Sequence, residues 1–188
     1  MQGIRGIGRR NFILGCAAAF SSAVLGPVWA KEKPGSGPKP GTSPLDENGR
    51  MQIGRSDRCP VCGMRPINYP QFSCAIQLKD GTPYYFCAAG CMIRTWLHPE
   101  IYIHAEKENI QSVVVREYFK GEQVDALSVI WVAGSDIVGP MGPAPVPIKT
   151  EAEVAVFKDR HGGGLTFRLS EMSDDKWREI TGKNALPR

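Results

Sequence analysis

Histidine is nearly absent from this chain, with three in 188 residues. His98 precedes Pro99 and could approach a site from a helix end, whereas His104 and His161 read as surface residues. Histidine is therefore a poor source of ligands or of a general base here. No paired carboxylates, nucleophile-and-base pair or glycine-rich phosphate loop stands out, which argues against the common hydrolytic and nucleotide-using enzymes. Charge of one sign is scarce as well. The formal net charge is +4, and the first thirty residues hold three arginines and no acid, so the remainder stands at +1. A near-neutral surface of interspersed signs gives no electrostatic footprint for nucleic acid. Apolar side chains are scarce from Lys31 to Asn48, where Pro, Gly, Lys and Ser dominate. Such a stretch cannot offset its ordering entropy by burial, so residues 31–50 are expected to be a flexible linker.

Before that stretch, Arg5, Arg9 and Arg10 precede an uncharged run from Asn11 to Ala30 that ends in Val28-Trp29-Ala30. This is the layout of a cleavable export signal over residues 1–30. Arg9-Arg10-Asn11-Phe12-Ile13-Leu14 resembles the twin-arginine signal, and the run's Gly, Ala and Ser content makes it only mildly apolar, which suits that route. Pro27 and the small Ala30 favour cleavage over retention as a membrane anchor. Lys31 is the expected start of an exported, periplasmic chain with no stable membrane insertion. Ile13-Leu14-Gly15-Cys16 is an imperfect lipoprotein box. A lipid anchor at Cys16 is disfavoured because almost no apolar core would precede it.

The folded part, residues 51–188, is long enough for one domain or two small units sharing a core, and too short for a tandem array. Its pattern is α+β. Ser73–Lys79 and Thr82–Cys87 flank Asp80-Gly81, the preferred two-residue hairpin turn. Ala88 to Leu97 reads as a helix stopped before His98-Pro99. Val113–Phe119 and Ala126–Val132 flank Lys120-Gly121-Glu122 as a second hairpin candidate. Thr150 with Glu153 forms a capping box that opens a helix to about Arg160, and Gly162-Gly163-Gly164 ends it. Leu165–Leu169 follows as a strand, and Ser173–Thr181 as an amphipathic helix anchored by Trp177. Hairpin, helix and strand thus occur twice in order.

Sulfur carries the chemistry. Cys59-Pro60-Val61-Cys62-Gly63-Met64 has the form of a knuckle, a tight turn whose glycine lets backbone amides face bound thiolates. Cys87 and Cys91 fall at a strand-to-helix junction, four residues apart, where a helix N-terminus favours thiolate. Knuckle, hairpin and helix start describe a treble-clef-like site. Thiolate with thioether favours Cu(I), whereas four thiolates alone suit zinc, and in an oxidising compartment either pair could instead close as a disulfide. Cys74 reads as a buried strand residue. Met64 lies among polar and turn residues, and Met141 in Gly139-Pro140-Met141-Gly142-Pro143, a setting for an irregular loop. Both are poor places for core methionines. Met92 and Met172 read as core.

Cys59-Pro60-Val61-Cys62-Gly63-Met64, the hairpin ending in Tyr85-Phe86, Cys91-Met92, Trp131-Val132-Ala133-Gly134-Ser135 and Gly139-Pro140-Met141-Gly142 resemble, in that order, the NosL family, the copper accessory proteins of nitrous oxide reductase. The resemblance covers nearly all of the folded part. It implies two related ββαβ units of treble-clef-like topology, also seen in organomercurial lyase, over about 51–119 and 120–188. It also implies Cu(I) bound by Cys and Met. Carried over by position, Cys62 and Met64 are the first copper ligands and Met141 the next. Two features depart from the family pattern: the twin-arginine-type start in place of a cysteine lipid anchor, and the second thiol pair, Cys87 with Cys91. The expected function is that of an exported Cu(I) metallochaperone without catalytic turnover, whose partner is a client cuproenzyme, nitrous oxide reductase, or its assembly proteins. A structural zinc-binding domain with Cys59, Cys62, Cys87 and Cys91 as ligands is the alternative, and an organomercurial-lyase-like enzyme a more remote one.

Overall fold

The computed structural model describes residues 37–187; the export-signal and Cys16 readings lie outside them. The first half runs β1 (Cys74–Leu78), β2 (Pro83–Phe86), α1 (Ala89–Leu97), the short α2 (Pro99–Tyr102), β3 (Ile110–Arg116) and β4 (Gln123–Asp125). The second runs β5 (Ile130–Ser135), the two-residue strands β6 (Val138–Gly139) and β7 (Gly142–Pro143), then β8 (Val146–Ile148), α3 (Glu151–His161), β9 (Gly162–Phe167) and α4 (Asp174–Thr181). Two antiparallel sheets result, in the orders β2-β1-β3-β4 and β8-β5-β9, with β6 and β7 paired as a separate ribbon. In each half the first strand pairs on one side with the strand just before the helix, β2 or β8, and on the other with the strand after it, β3 or β9. The mixed α+β class holds, and the ββαβ order recurs in the second half with the β6–β7 ribbon inserted between its first two sheet strands.

Strand alternation decides what each face buries. Cys74, Ile76 and Leu78 of β1 join Tyr84, Phe86, Val113 and Val115 in the main core under α1, while Ala75, Tyr85 and Val114 face a small cluster with Met51. On β5, Trp131 and Ala133 enter that main core, and Ile130 and Val132 turn to Val146, Ile148, Val154 and Phe157 beneath α3. Phe167, Leu169, Met172 and Trp177 complete the main core from the second half. The two halves are therefore fused through one side of β5.

Three local features differ from the sequence pattern. The Asp80-Gly81 hairpin has a three-residue loop, since Leu78 N–H meets Thr82 O at 2.9 Å and Gly81 N–H meets Leu78 O at 2.9 Å. Gly81 at φ +86° takes the left-handed position such loops require. The second hairpin is β3 with the short β4, and residues 130–135 belong to the other sheet. Glu117 explains the turn between β3 and β4. Its carboxylate is buried and accepts from the backbone N–H groups of Phe119, Lys120 and Glu122 at 2.9, 2.5 and 3.2 Å. A third difference concerns the Pro/Gly-rich stretch, part of which lies along the first sheet. Gly41 N–H donates to Pro83 O at 2.8 Å, Leu45 N–H to the Gln77 side chain at 2.8 Å, and the Tyr85 hydroxyl to Ser43 O at 2.8 Å. Buried Asp57 accepts from Thr42 and Gly54 N–H. Backbone groups dock here, which side-chain composition does not report.

The capping box forms as read. Thr150 Oγ1 accepts from Glu153 N–H at 3.2 Å, and the Glu153 carboxylate accepts from Thr150 N–H at 3.1 Å. Thr150→Ala should cost about 1 kcal/mol, the usual worth of an N-cap. Trp131→Ala removes a side chain with no exposed surface that stacks on Phe167. It should cost about 3–5 kcal/mol. Urea denaturation of both variants checks the ranking.

Candidate metal centre

The knuckle closes on itself. Gly63 N–H donates to Cys59 O at 2.8 Å and Cys59 N–H to Met64 O at 2.8 Å. Gly63 sits at φ +73°, where a side chain would be strained. Cys87 follows the last residue of β2, and Cys91 lies in the first turn of α1, about one helical turn further on.

Together these elements bring the Sγ atoms of Cys59, Cys62, Cys87 and Cys91 within 4.8 Å of one another. Cys62 lies 3.3 Å from Cys87 and 3.9 Å from Cys91, and Cys87 lies 4.0 Å from Cys91. The two thiol pairs form one cluster, and all four thiols are free. Among the described residues no histidine nitrogen or carboxylate oxygen joins them. A tetrahedral ion with metal–sulfur bonds of about 2.3 Å would set its sulfurs about 3.8 Å apart, so the observed spacing fits a single coordinated ion.

Exposure is unequal: Cys59, Cys87 and Cys91 are buried, and Cys62 is half-buried. Hydrogen bonds from the Cys59, Cys87 and Cys91 thiols, aided by the Met64 backbone amide, hold the Cys62 thiol well below its ordinary range. Hydrogen bonding with Cys59 and Cys62 pushes Cys87 up, and the same neighbours push Cys91 up. Hydrogen bonds from Cys87 and Cys91 lower the Cys59 thiol as well, so in the metal-free cluster the knuckle pair carries the thiolate character that binds soft metals, and Cys62 is its accessible member.

The remaining sequence candidates divide. Met64 is half-buried and packs against the main core next to Cys62. Met141 occupies the two-residue tip of the β6–β7 ribbon, 43% exposed. It lines a cleft of about 660 Å³ in common with Cys91. Cys74 is buried in β1 outside the cluster, its thiol directed to Phe72 O at 3.3 Å. His98 bonds Asp174 at 2.8 Å, and His161 bonds Asp136 at 2.9 Å and Tyr118 at 2.8 Å. Sequence reasoning missed Arg94, whose Nε donates to Ala185 O at 2.6 Å and whose Nη2 donates to the Tyr102 hydroxyl at 2.6 Å. Tyr102 also bonds Ala185 O, so this pair ties the C-terminal tail to the cleft wall. No local pattern marks a contact spanning 91 residues.

The family model for NosL matches residues 50–177. The chain belongs to the NosL family. It is 29% identical over 124 residues to the copper-binding lipoprotein NosL of Stutzerimonas stutzeri, a match that covers 62% of each chain. The chain thus spans less than two thirds of that relative's length. The fold is similar to the crystal structure of the copper chaperone NosL from Shewanella denitrificans, with a TM-score of 0.57 and 21% identity over 66% of this chain and 96% of that one. Among the described residues of this NosL-family chain, no helix is long and apolar enough to cross a membrane.

Thiol reactivity should follow the asymmetry of the cluster. Limiting iodoacetamide under reducing, metal-free conditions should alkylate Cys62 first. Cys74, buried and pushed up by desolvation and by the charge of Cys59, should react well after it, with Cys87 and Cys91. Peptide mass spectrometry at increasing reagent reads the order.

Proposed function

We propose that this chain is an exported Cu(I)-binding metallochaperone, holding copper for transfer into a cuproenzyme, with the copper-sulfur centre of nitrous oxide reductase as the destination. The observation that carries the reading is a cluster of four soft sulfurs with one half-exposed member, in a family whose named relatives bind copper. Metal transfer needs a site selective for the ion yet open to ligand exchange, and sulfur donors with one accessible sulfur meet both needs. Cys62 and Met64 are the proposed primary ligands, and Cys59, Cys87 and Cys91 share the same ion because their sulfurs share one space. Copper is cargo in this reading, and catalysis plays no part. An organomercurial-lyase-like reaction needs an acid to protonate the carbon that leaves the metal, and among the described residues no carboxylate joins the thiols.

One observation favours a second reading. Sulfur separations near those of a tetrahedral site also suit zinc bound by four thiolates, which would stabilise the fold and carry no cargo. Native mass spectrometry of anaerobically purified protein, titrated with Cu(I) and with zinc, separates the readings. The chaperone reading expects one Cu(I) that displaces zinc and has sulfur neighbours by X-ray absorption. Zinc retained against a copper challenge supports the structural reading. Cys62→Ser and Met64→Ala should each weaken Cu(I) binding by about tenfold or more.

Met141 is proposed to lend its thioether from the second half. Metal bound across both halves adds stability of order RT ln(1 + [L]/Kd). Met141→Ala should therefore shrink the rise in Tm on Cu(I) addition and leave the metal-free Tm almost unchanged, as suits an exposed side chain. A packing role would reverse that result, lowering metal-free stability with copper affinity intact.

A further inference from the structure

We propose that the cleft shared by Cys91 and Met141 is a docking groove for an acidic, methionine-bearing polypeptide segment of the protein that exchanges metal with this chain. The proposal rests on the chaperone reading above for the identity of the cargo, and on the cleft itself for the chemistry of the partner.

Size is the first observation. At about 660 Å³ the cleft falls within the roughly 300–1,000 Å³ of sites that take organic ligands, far more than one metal ion occupies. Much of its wall is apolar, from Met141, Pro143, Trp177, Ile180 and Leu186, and Met141 and Leu186 remain 43% and 44% exposed. Of the cluster's sulfurs, Cys91 alone lines it. A segment seated there abuts the thiol cluster without having to approach Cys62.

Charge selects the occupant. Arg94 and Lys183 line the cleft and no Asp or Glu does, among the described residues. Neither cation has a carboxylate partner among those residues. Arg94 donates to two neutral oxygens, Ala185 O and the Tyr102 hydroxyl, and so keeps its full charge. Two uncompensated cations beside an apolar wall attract carboxylates, and bring no penalty for a thioether placed between them. Methionine is the residue that serves both requirements of the groove, apolar enough for its wall and a soft ligand for the ion beside it.

The test uses the purified chain, metal-free and reduced, with the peptide acetyl-Asp-Glu-Met-Ala-Met-Asp-Glu-amide and a counterpart carrying lysine at the four acidic positions. Isothermal titration should show the acidic peptide binding at least tenfold more tightly, with the difference narrowing as salt rises. Lys183→Glu and Leu186→Asp, both on the exposed tail, should each weaken the acidic peptide about tenfold, and circular dichroism melts confirm that the variants fold. Cu(I) affinity, read separately by chelator competition, should be unchanged in both. Absence of acidic-peptide binding, equal binding of the lysine peptide, or variants that bind like the parent chain overturns the groove. Failure of the parent chain to hold Cu(I) overturns the chaperone reading and leaves the peptide result to be judged alone.

Discussion

Everything in the second half depends on β5 having two buried faces. A strand in a sheet of one small α+β layer normally shows one face to solvent, and its sequence then alternates apolar and polar. Here Ile130, Trp131, Val132 and Ala133 are all buried, because α3 covers one side and the first half covers the other. Trp131 is the residue that makes the fusion, with its ring stacked on Phe167 and its indole N–H donated to Ala126 O at 3.1 Å. The ribbon that carries Met141 springs from the end of this strand. Its place on the cleft that Cys91 also lines follows from the packing of that strand.

The same burial explains what was legible beforehand. Helix boundaries marked by local chemistry came out close: Thr150 and Glu153 cap α3, Ser173 Oγ accepts from Lys176 N–H at the start of α4, and α1 stops at Leu97 ahead of His98-Pro99. Strand pairing was harder. Ala126–Val132 looked like the return strand of a hairpin because β-branched and aromatic residues signal a buried strand without naming its neighbour. The decision lay with Glu117, whose buried carboxylate gathers three amides into the preceding turn. Nothing in the local pattern distinguishes such a glutamate from a solvated one. The docked stretch from Gly41 escaped notice for a related reason, since its ties run through backbone groups to residues some 30 to 40 positions away.

The metal centre shows the same division between local and distant information. Each cysteine pair could be recognised from its spacing, and so could the knuckle glycine. That the pairs meet could be suspected from the treble-clef-like order, yet their convergence to within 4.8 Å depends on how β2 delivers Cys87 and how the first turn of α1 aims Cys91. Met141 was singled out by an unusual loop and by family position. The structure adds that the loop is the tip of the two-strand β6–β7 ribbon.

Three buried sulfurs and one accessible sulfur make a site with a direction. Burial of Cys59, Cys87 and Cys91 would exclude water from most of the coordination sphere of an ion held there, which favours a soft ion and slows its loss to solvent. In the proposed transfer a partner would displace ligands one at a time, beginning where the sphere can be reached. Cys62 offers that on the solvent side, and Cys91 lines the cleft that Met141 and Trp177 also line. A purely structural zinc site has no use for a large cleft against one of its ligands, and gains nothing from leaving another half-exposed. Accessibility therefore weighs toward cargo where sulfur spacing alone is neutral, because spacing reports how an ion is held and accessibility reports whether it can be passed on.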